Sequence, residues 1–363
     1  MKKETRYSLL TFYKFVDIEN PKAEVKKLYR FTRDIGLRGR IFIGEEGINA
    51  TVTGNIGQVH ALMLYLENNQ YFKDIPDIEA KATEVDEHKF PKMIVRYRKE
   101  IVALGEVYSA AEIEKVKSKM SVEEFKKVMD EENDDYLILD MRNNYEYKLG
   151  HFKNAIPAGT VNFRDLQSII DHYKEQFDNK KIVMYCTGGI RCEKVAVYLD
   201  QQGFEDVKQL DGGVMKYVNK YKDGNWLGNL YTFDDRVSTD VGDENTTTII
   251  SECHYTGEKA KNYYNCRYGP CNAQIIAKPK QYRKHMGFCS EQCANRAKED
   301  ILIRDVKFDP LEYKQLRGKI KQDNSKREEV VAGIAKHIEE WLRGAEFNHK
   351  TPVEEEIVLP EVE

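Results

Sequence analysis

The sequence predicts a multidomain α/β protein, and three observations point that way. Apolar residues in the first hundred positions follow strand and helix spacings in the order β-α-β-β-α-β. From Ser121 onward, strands and helices alternate at the spacing of a parallel sheet. All seven cysteines lie in the second half of the 363-residue chain, and five of them fall between Ser251 and Arg296.

A chain of this length accommodates two or three ordinary cores. It has no run of about 18 apolar residues, so no membrane-spanning helix is expected. Charge interrupts the N-terminal MKKETRYSLLTFYKF too early for a secretory signal, and the expected location is the cytoplasm. In that reducing compartment, closely spaced cysteines are ligands or reactive groups more often than disulfides. The formal net charge of −4 lends no support to nucleic-acid binding. A local basic face stays open, because steering depends on where charges sit rather than on their sum.

The elements follow in order. Tyr7 to Val16 is the first strand. Asn20 caps a helix with Pro21 at its first position; Val25, Leu28 and Tyr29 repeat at helical spacing, and Gly36 ends it. Arg40 to Ile43 is a second strand. GEEGINATVTG turns and continues as a third, with Ile48, Ala50 and Val52 alternating against Asn49, Thr51 and Thr53. Ile56, Val59, Leu62, Met63 and Leu66 mark a second helix face, and Ile78 to Val85 and Met93 to Tyr97 supply one or two further strands. Two helices over one face of an antiparallel sheet is a ferredoxin-like, acylphosphatase-like arrangement, expected over residues 1–104. That arrangement fixes no function.

Residues 105–120 read as a charged, partly helical connector. Ser121-Val122-Glu123-Glu124 is a capping-box pattern opening a short helix. Strands at Tyr136 to Asp140, Lys181 to Cys186 and Val207 to Leu210 then alternate with helices near Phe163 to Tyr173 and from Ile190 to Gln202. Ligands of such sheets sit at the carboxyl ends of the strands, where Cys186 falls.

A thiol at that place has a physical use. The thiolate is the nucleophile, and a free thiol with a pKa near ~8.5 is mostly protonated at neutral pH. A loop running from a strand end into a helix start favours the anion through backbone N–H groups and the helix dipole. Thr187, Gly188, Gly189 and Ile190 supply that backbone, the two glycines allowing close approach to the sulfur. Arg191 adds a permanent cation whose planar fork suits an oxyanion or phosphate. A buried cysteine ending a strand before an ordinary glycine turn is the plain alternative.

The surrounding residues decide between these readings. Cys186-Thr187-Gly188-Gly189-Ile190-Arg191, with four residues between cysteine and arginine, resembles the active loop of rhodanese domains. Upstream, LDMRNNYEYKLGHFKNAIP is similar to the rhodanese stretch leading from a strand into a Gly-His turn, here Asp140, Arg142, Glu146, Gly150, His151, Ala155 and Pro157. Downstream, LDGGVMKY resembles the closing loop of that domain. A rhodanese domain is therefore expected over residues 121–232. Related phosphatases have five residues in this loop; the shorter loop suits sulfur or another small group on Cys186.

A ferredoxin-like domain containing EEGINATV, a rhodanese domain with CTGGIRCEK and a cysteine-rich C-terminal region together resemble the bacterial oxygen-dependent tRNA uridine hydroxylases. The resemblance implies formation of 5-hydroxyuridine at the wobble position, a catalytic cysteine at Cys186, a tRNA anticodon loop as partner and molecular oxygen as co-substrate. Two roles stay open for Cys186: addition to C6 of uracil, or carriage of a persulfide or sulfenate with Cys192 as auxiliary thiol. Cys192 also reads as a helix residue packed under the loop. A sulfurtransferase carrying sulfane sulfur as a Cys186 persulfide is the rival activity, and a non-enzymatic tRNA-binding protein would have little use for both Cys186 and Arg191. The sequence shows no flavin or nicotinamide motif.

Residues 250–300 form a cysteine-rich module with Cys253-His254-Tyr255-Thr256, Cys266-x4-Cys271 and Cys289-x3-Cys293. The resemblance implies further CxxC pairs: Thr256 stands where a partner of Cys253 is expected, and another pair is missing near Ala277 to Lys280. The chain then keeps one four-cysteine set, Cys266, Cys271, Cys289 and Cys293, suited to a closed tetrahedral zinc site. Reduced cysteines in a packed module are the equal alternative, with His254 and His285 as substitute ligands. The run KPKQYRKH, Lys278 to His285, alternates cations with Tyr282 and reads either as a solvated loop or as a grip on tRNA phosphates. Residues 301–347 carry helical spacing, clearest at Val330, Val331, Ile334, Ile338, Trp341 and Leu342. Residues 348–363 form an acidic tail whose composition predicts disorder. Oligomeric state is not legible in the sequence.

Overall fold

The computed structural model describes residues 6–75, 82–160, 163–167, 170, 180–234, 236–242, 247–271 and 273–300. The helical and acidic segments expected over 301–363 lie outside the described residues, as do Ile78 to Lys81 and most of the helix expected near Phe163 to Tyr173. The chain divides into two compact units. The first comprises Met1–Asn144, Phe152–Asn225 and Thr232–Arg236; the second comprises Tyr145–His151, Trp226–Tyr231 and Val237–Glu363.

The first unit opens with β1 (Tyr7–Phe15), α1 (Pro21–Asp34), β2 (Arg38–Gly44), β3 (Gly47–Asn55), α2 (Ile56–Glu67), β4 (Ala82–Val85) and β5 (Met93–Tyr97). The Asn20 side chain accepts from the Ala23 N–H at the start of α1, and Asn55 and Gln58 close a capping box on α2. Leu10, Phe12, Ile41, Ile43, Ile48, Ala50 and Val52 point to one face of the sheet and bury against Leu28 of α1 and Val59, Leu62 and Leu66 of α2.

Strand order is β4-β1-β3-β2-β5. The four ferredoxin-like strands are antiparallel, as expected, but β5 joins the β2 edge in parallel, so the sheet is mixed. The chain path explains the difference. β4 runs opposite to β1, and Asp86–Lys92 then crosses the sheet at the end where β4 stops, so β5 can only run back alongside β2.

The same unit continues with α3 (Ala110–Lys115), β6 (Lys119–Met120), α4 (Val122–Asp130), β7 (Tyr136–Asp140), α5 (Asn144–Leu149), β8 (Gly150–Phe152), β9 (Ile156–Pro157), β10 (Lys181–Tyr185), α6 (Ile190–Gln201), β11 (Val207–Leu210) and α7 (Gly213–Tyr221); most of α5 and β8 belong to the second unit. β6-β11-β10-β7-β9 is an all-parallel sheet. The stretch 105–120, expected as a connector, supplies the edge strand β6 and the helix α3; Met120 and Ile113 are both buried, which is why it folds with the sheet.

In the second unit, β12 (Trp226–Gly228), β13 (Leu230–Tyr231), β14 (Ser238–Thr239), β15 (Tyr263–Asn265), β16 (Gln274–Ile276), α8 (Pro279–Lys284) and α9 (Glu291–Asp300) surround a core of Tyr231, Tyr255, Tyr263, Tyr268, Tyr282, Phe288 and cysteines. Among the described residues, no helix is long and apolar enough to cross a membrane.

Candidate active site

The thiol sits where β10 ends. The buried run Ile182 to Tyr185 fixes the strand, and Cys186 follows it fully enclosed. The Gly189 N–H donates to Cys186 Sγ at 3.1 Å. Gly189 begins α6 with φ 99°, a left-handed conformation that a side chain would strain, and a Cβ there would lie 2.8 Å from the Tyr13 hydroxyl. The loop carbonyls turn the other way. Val214 N–H donates to the Cys186 carbonyl and Met215 N–H to the Thr187 carbonyl, each at 3.0 Å, from the first turn of α7. That approach needs Gly213, whose Cβ would stand 2.4 Å from the Cys186 oxygen.

Carbonyls held outward leave N–H groups facing the sulfur. Burial pushes the Cys186 thiol up, but the hydrogen bond from Cys192, the charge of Arg191 and the N–H groups of Arg191 and Cys192 outweigh it and hold Cys186 at about 5. Burial, reinforced by the same contact, pushes Cys192 well above the ordinary thiol range. Cys192 is thus a buried, protonated donor to a thiolate. The Arg191 guanidinium donates to Thr187 Oγ1 at 3.3 Å and lies 5.8 Å from the centre of the Phe233 ring.

Asp140 and Arg142, read from the upstream stretch, form a fully buried pair: Arg142 Nε donates to Asp140 Oδ1 at 2.8 Å and the Tyr185 hydroxyl donates to Asp140 Oδ2 at 2.8 Å. They tie β7 to β10 beneath the loop. Glu146, Gly150 and His151 belong to the second unit, where the His151 ring stacks on Tyr147 at 3.9 Å.

Sequence reasoning missed the residues that the N-terminal sheet brings to this loop. Tyr13, on β1, donates to Glu193 Oε1 at 3.2 Å and rests against Gly189. Lys194, in the first turns of α6, is fully buried and donates to Glu46 Oε2 at 3.0 Å, Glu100 Oε2 at 2.8 Å and the Val102 carbonyl at 3.2 Å. One signal was available: Lys194 opens the otherwise apolar KVAVYL run, where a lysine needs buried counter-charges.

In the second unit, the sulfurs of Cys266, Cys271, Cys289 and Cys293 all lie within 4.8 Å of one another. Cys271 and Cys289 are 3.7 Å apart and Cys289 and Cys293 3.5 Å. A tetrahedron with Zn–S arms of about 2.3 Å has edges of about 3.8 Å, so the cage has the size of a zinc site. His254 and His285 are not among its members, contrary to their suggested part as substitute ligands. His254 Nε2 pairs with the Cys289 carbonyl at 2.6 Å, and His285, 5% exposed, stacks on Tyr255 at 4.1 Å. The basic run is not a loop: Pro279–Lys284 forms α8, with Tyr282 buried and stacked on Tyr264 at 4.0 Å and Lys278 paired with Glu258 at 2.9 Å. Cys253 stands apart from the four; burial would raise it, but the Thr256 hydroxyl and nearby N–H groups hold it below the ordinary thiol range.

A family model described as UPF0176 acylphosphatase like domain matches residues 7–101, one described as Rhodanese-like domain matches residues 121–220, and one described as Rhodanase C-terminal matches residues 227–294. Together with the thiolate loop, these define a multidomain rhodanese-type protein. A protein of Bacillus velezensis named tRNA uridine(34) hydroxylase is 38% identical over 292 residues, covering 80% of this chain and 89% of that protein. One of the same name from Staphylococcus saprophyticus is 39% identical over 290 residues, covering 79% of this chain and 90% of that protein. The chain belongs to the tRNA uridine(34) hydroxylase family.

Proposed function

We propose that this protein hydroxylates C5 of the wobble uridine of tRNA, using molecular oxygen, and that Cys186 is the residue that activates the base. The observation that carries the reading is the buried thiolate at Cys186, ringed by N–H groups, Cys192 and Arg191, in a chain sharing 38% identity with a named tRNA uridine(34) hydroxylase.

Uracil C5 becomes nucleophilic when a thiolate adds to C6. The Sγ–C6 bond forms, and the C5=C6 electron pair moves onto C5 and the O4 carbonyl. C5 then takes up one oxygen atom; loss of the C5 proton expels the thiolate and restores the ring. The second oxygen atom leaves as water, with two electrons and two protons from a donor. Arg191 keeps Cys186 anionic before attack and receives it again afterwards. The target base must leave its stack, which is easier in a single-stranded loop than in a duplex. A tRNA substrate places the work in the cytoplasm.

Cys266, Cys271, Cys289 and Cys293 are assigned a structural zinc ion, supported by the cage size and burial. Four thiolates close the coordination sphere, so the metal would organise the module around α8 and α9 and leave no open position for substrate.

The test is complementation. Cells lacking this protein and every other route to the modification receive wild type or Cys186→Ala, and wobble nucleosides are quantified by mass spectrometry. Restoration by wild type alone is expected. Soluble wild type that restores nothing, yet transfers sulfur from thiosulfate to cyanide, would replace hydroxylation with sulfurtransfer.

A further inference from the structure

The five-stranded sheet has two faces of opposite character. One is apolar and covered by α1 and α2. Side chains alternate along strands, so the register sets the other face in two rows: Thr11, Thr51, Arg40 and Ile94, then Tyr13, Asn49, Phe42 and Arg96. Arg98, just past β5, lies over Phe42 with its guanidinium 5.4 Å from the ring centre.

The charge on this face is one-sided. Arg38 and Arg40 of β2 and Arg96 of β5 point to it, and β1, β2, β3 and β5 contain no acidic residue, in a chain whose net charge is −4. Thr11, Arg40, Arg96 and Arg98 are exposed. Among the described residues, none of these three arginines is ion-paired with a carboxylate.

The face also has two ends. At one, the crossing segment closes it: His88 Nδ1 meets Thr53 Oγ1 at 3.2 Å, and Phe90 lies under Arg40, 5.6 Å from its guanidinium. At the other, Tyr13 packs against Gly189 of the thiolate loop and bonds Glu193. An exposed basic band thus runs across a sheet and stops at the candidate active site.

We propose that this face holds the single-stranded loop of the RNA substrate, with Arg40, Arg96 and Arg98 on its phosphates, Phe42 and the guanidinium planes against its bases, and Tyr13 as the last sheet residue before Cys186. The proposal rests on the reading of the protein as a tRNA-modifying enzyme. Two arguments select RNA as the occupant. Single strands are gripped by a basic track combined with stacking planes, which this face offers together. The track is also continuous with the thiol that must receive the base.

The test uses the full chain and a synthetic anticodon stem-loop carrying an unmodified wobble uridine. The double variant Arg40→Ala/Arg96→Ala should raise the dissociation constant at least about ten-fold, since each lost contact is a charge-assisted hydrogen bond. It should also flatten the slope of log affinity against log salt by about 1.4, at about 0.7 per single-strand phosphate. Lys26→Ala/Arg30→Ala on α1 removes the same charge from the opposite side and should leave both quantities near wild type. Thiouridine in the RNA loop, photo-crosslinked to wild-type protein, should label peptides of β1, β2 or β5.

A folded Arg40→Ala/Arg96→Ala protein with wild-type affinity and slope, an equal loss in the α1 variant, or crosslinks confined to other segments would overturn the proposal. If the double variant does not fold, the crosslink map on wild type decides. Wild type that binds the stem-loop through this face but forms no 5-hydroxyuridine would sink the hydroxylase reading and leave the docking face standing.

Discussion

Replacing Cys192 by alanine should raise the pKa of Cys186. In the folded chain the Cys192 thiol is the foremost group holding Cys186 down to about 5, ahead of the Arg191 charge. A hydrogen bond to an ionised acceptor contributes about 1.5–3 kcal/mol, and a thiol is a weak donor, so the loss corresponds to about one to two pKa units. The assay is iodoacetamide alkylation across pH, with the Cys186 peptide followed by mass spectrometry so that the other six cysteines do not contribute. Wild type should show a midpoint at about 5 and Cys192→Ala one nearer 6–7, while Cys192→Ser, which keeps a donor, should stay close to wild type. An unchanged midpoint in the alanine variant, or a wild-type midpoint in the ordinary thiol range, would refute the reasoning. The sign extends to stability. Cys186 is depressed in the fold, so its ionisation stabilises the protein above the ordinary thiol pKa, and that contribution is lost as pH falls through about 5. Wild type should therefore gain on Cys186→Ala as pH rises through that window, by at most about 1.4 kcal/mol per pH unit.

Lys194→Met should destabilise the protein by about 3–5 kcal/mol in urea titrations at neutral pH, because it leaves Glu46 and Glu100 buried without their cation. Burial already raises the Glu46 carboxyl above its ordinary value despite Lys194, so its contribution to stability is greatest at low pH and declines as pH rises through that raised value. The Lys194→Met deficit should accordingly shrink on acidification, and adding Glu46→Gln should recover part of it. Gly213→Ala places a Cβ 2.4 Å from the Cys186 carbonyl at a φ of +62° and should cost about 1–3 kcal/mol while raising the Cys186 alkylation midpoint; a wild-type midpoint would show that the α7 tether does not shape the loop. Purified protein should contain about one zinc per chain by elemental analysis, and Cys289→Ser should lose both the metal and several degrees of melting temperature.

What the sequence revealed depended on how local each signal was. The Cys186 loop was legible because its thiol, glycines and arginine are contiguous and their spacing alone sets the geometry. Tyr13 and Lys194 were not, since their partners Glu193 and Glu46 lie 180 and 148 residues away, beyond the reach of any local spacing. The parallel β5 was hidden because its direction follows from where Asp86–Lys92 crosses the sheet, and that crossing leaves no periodic trace. His285 was misread from its charged neighbours. In α8 and its cap, Tyr282 and His285 stand three apart and share a face, and the tyrosines opposite bury both rings.

The buried lysine also bears on the order in which the molecule can be made. Glu46 and Glu100 precede Lys194 by 148 and 94 residues, so during synthesis the N-terminal sheet emerges first with two inward carboxylates and no cation between them. Seating α6 supplies that cation and, in the same movement, sets the helix start that cradles Cys186. Every residue of the sheet that the thiolate loop packs against is therefore synthesised before the loop itself.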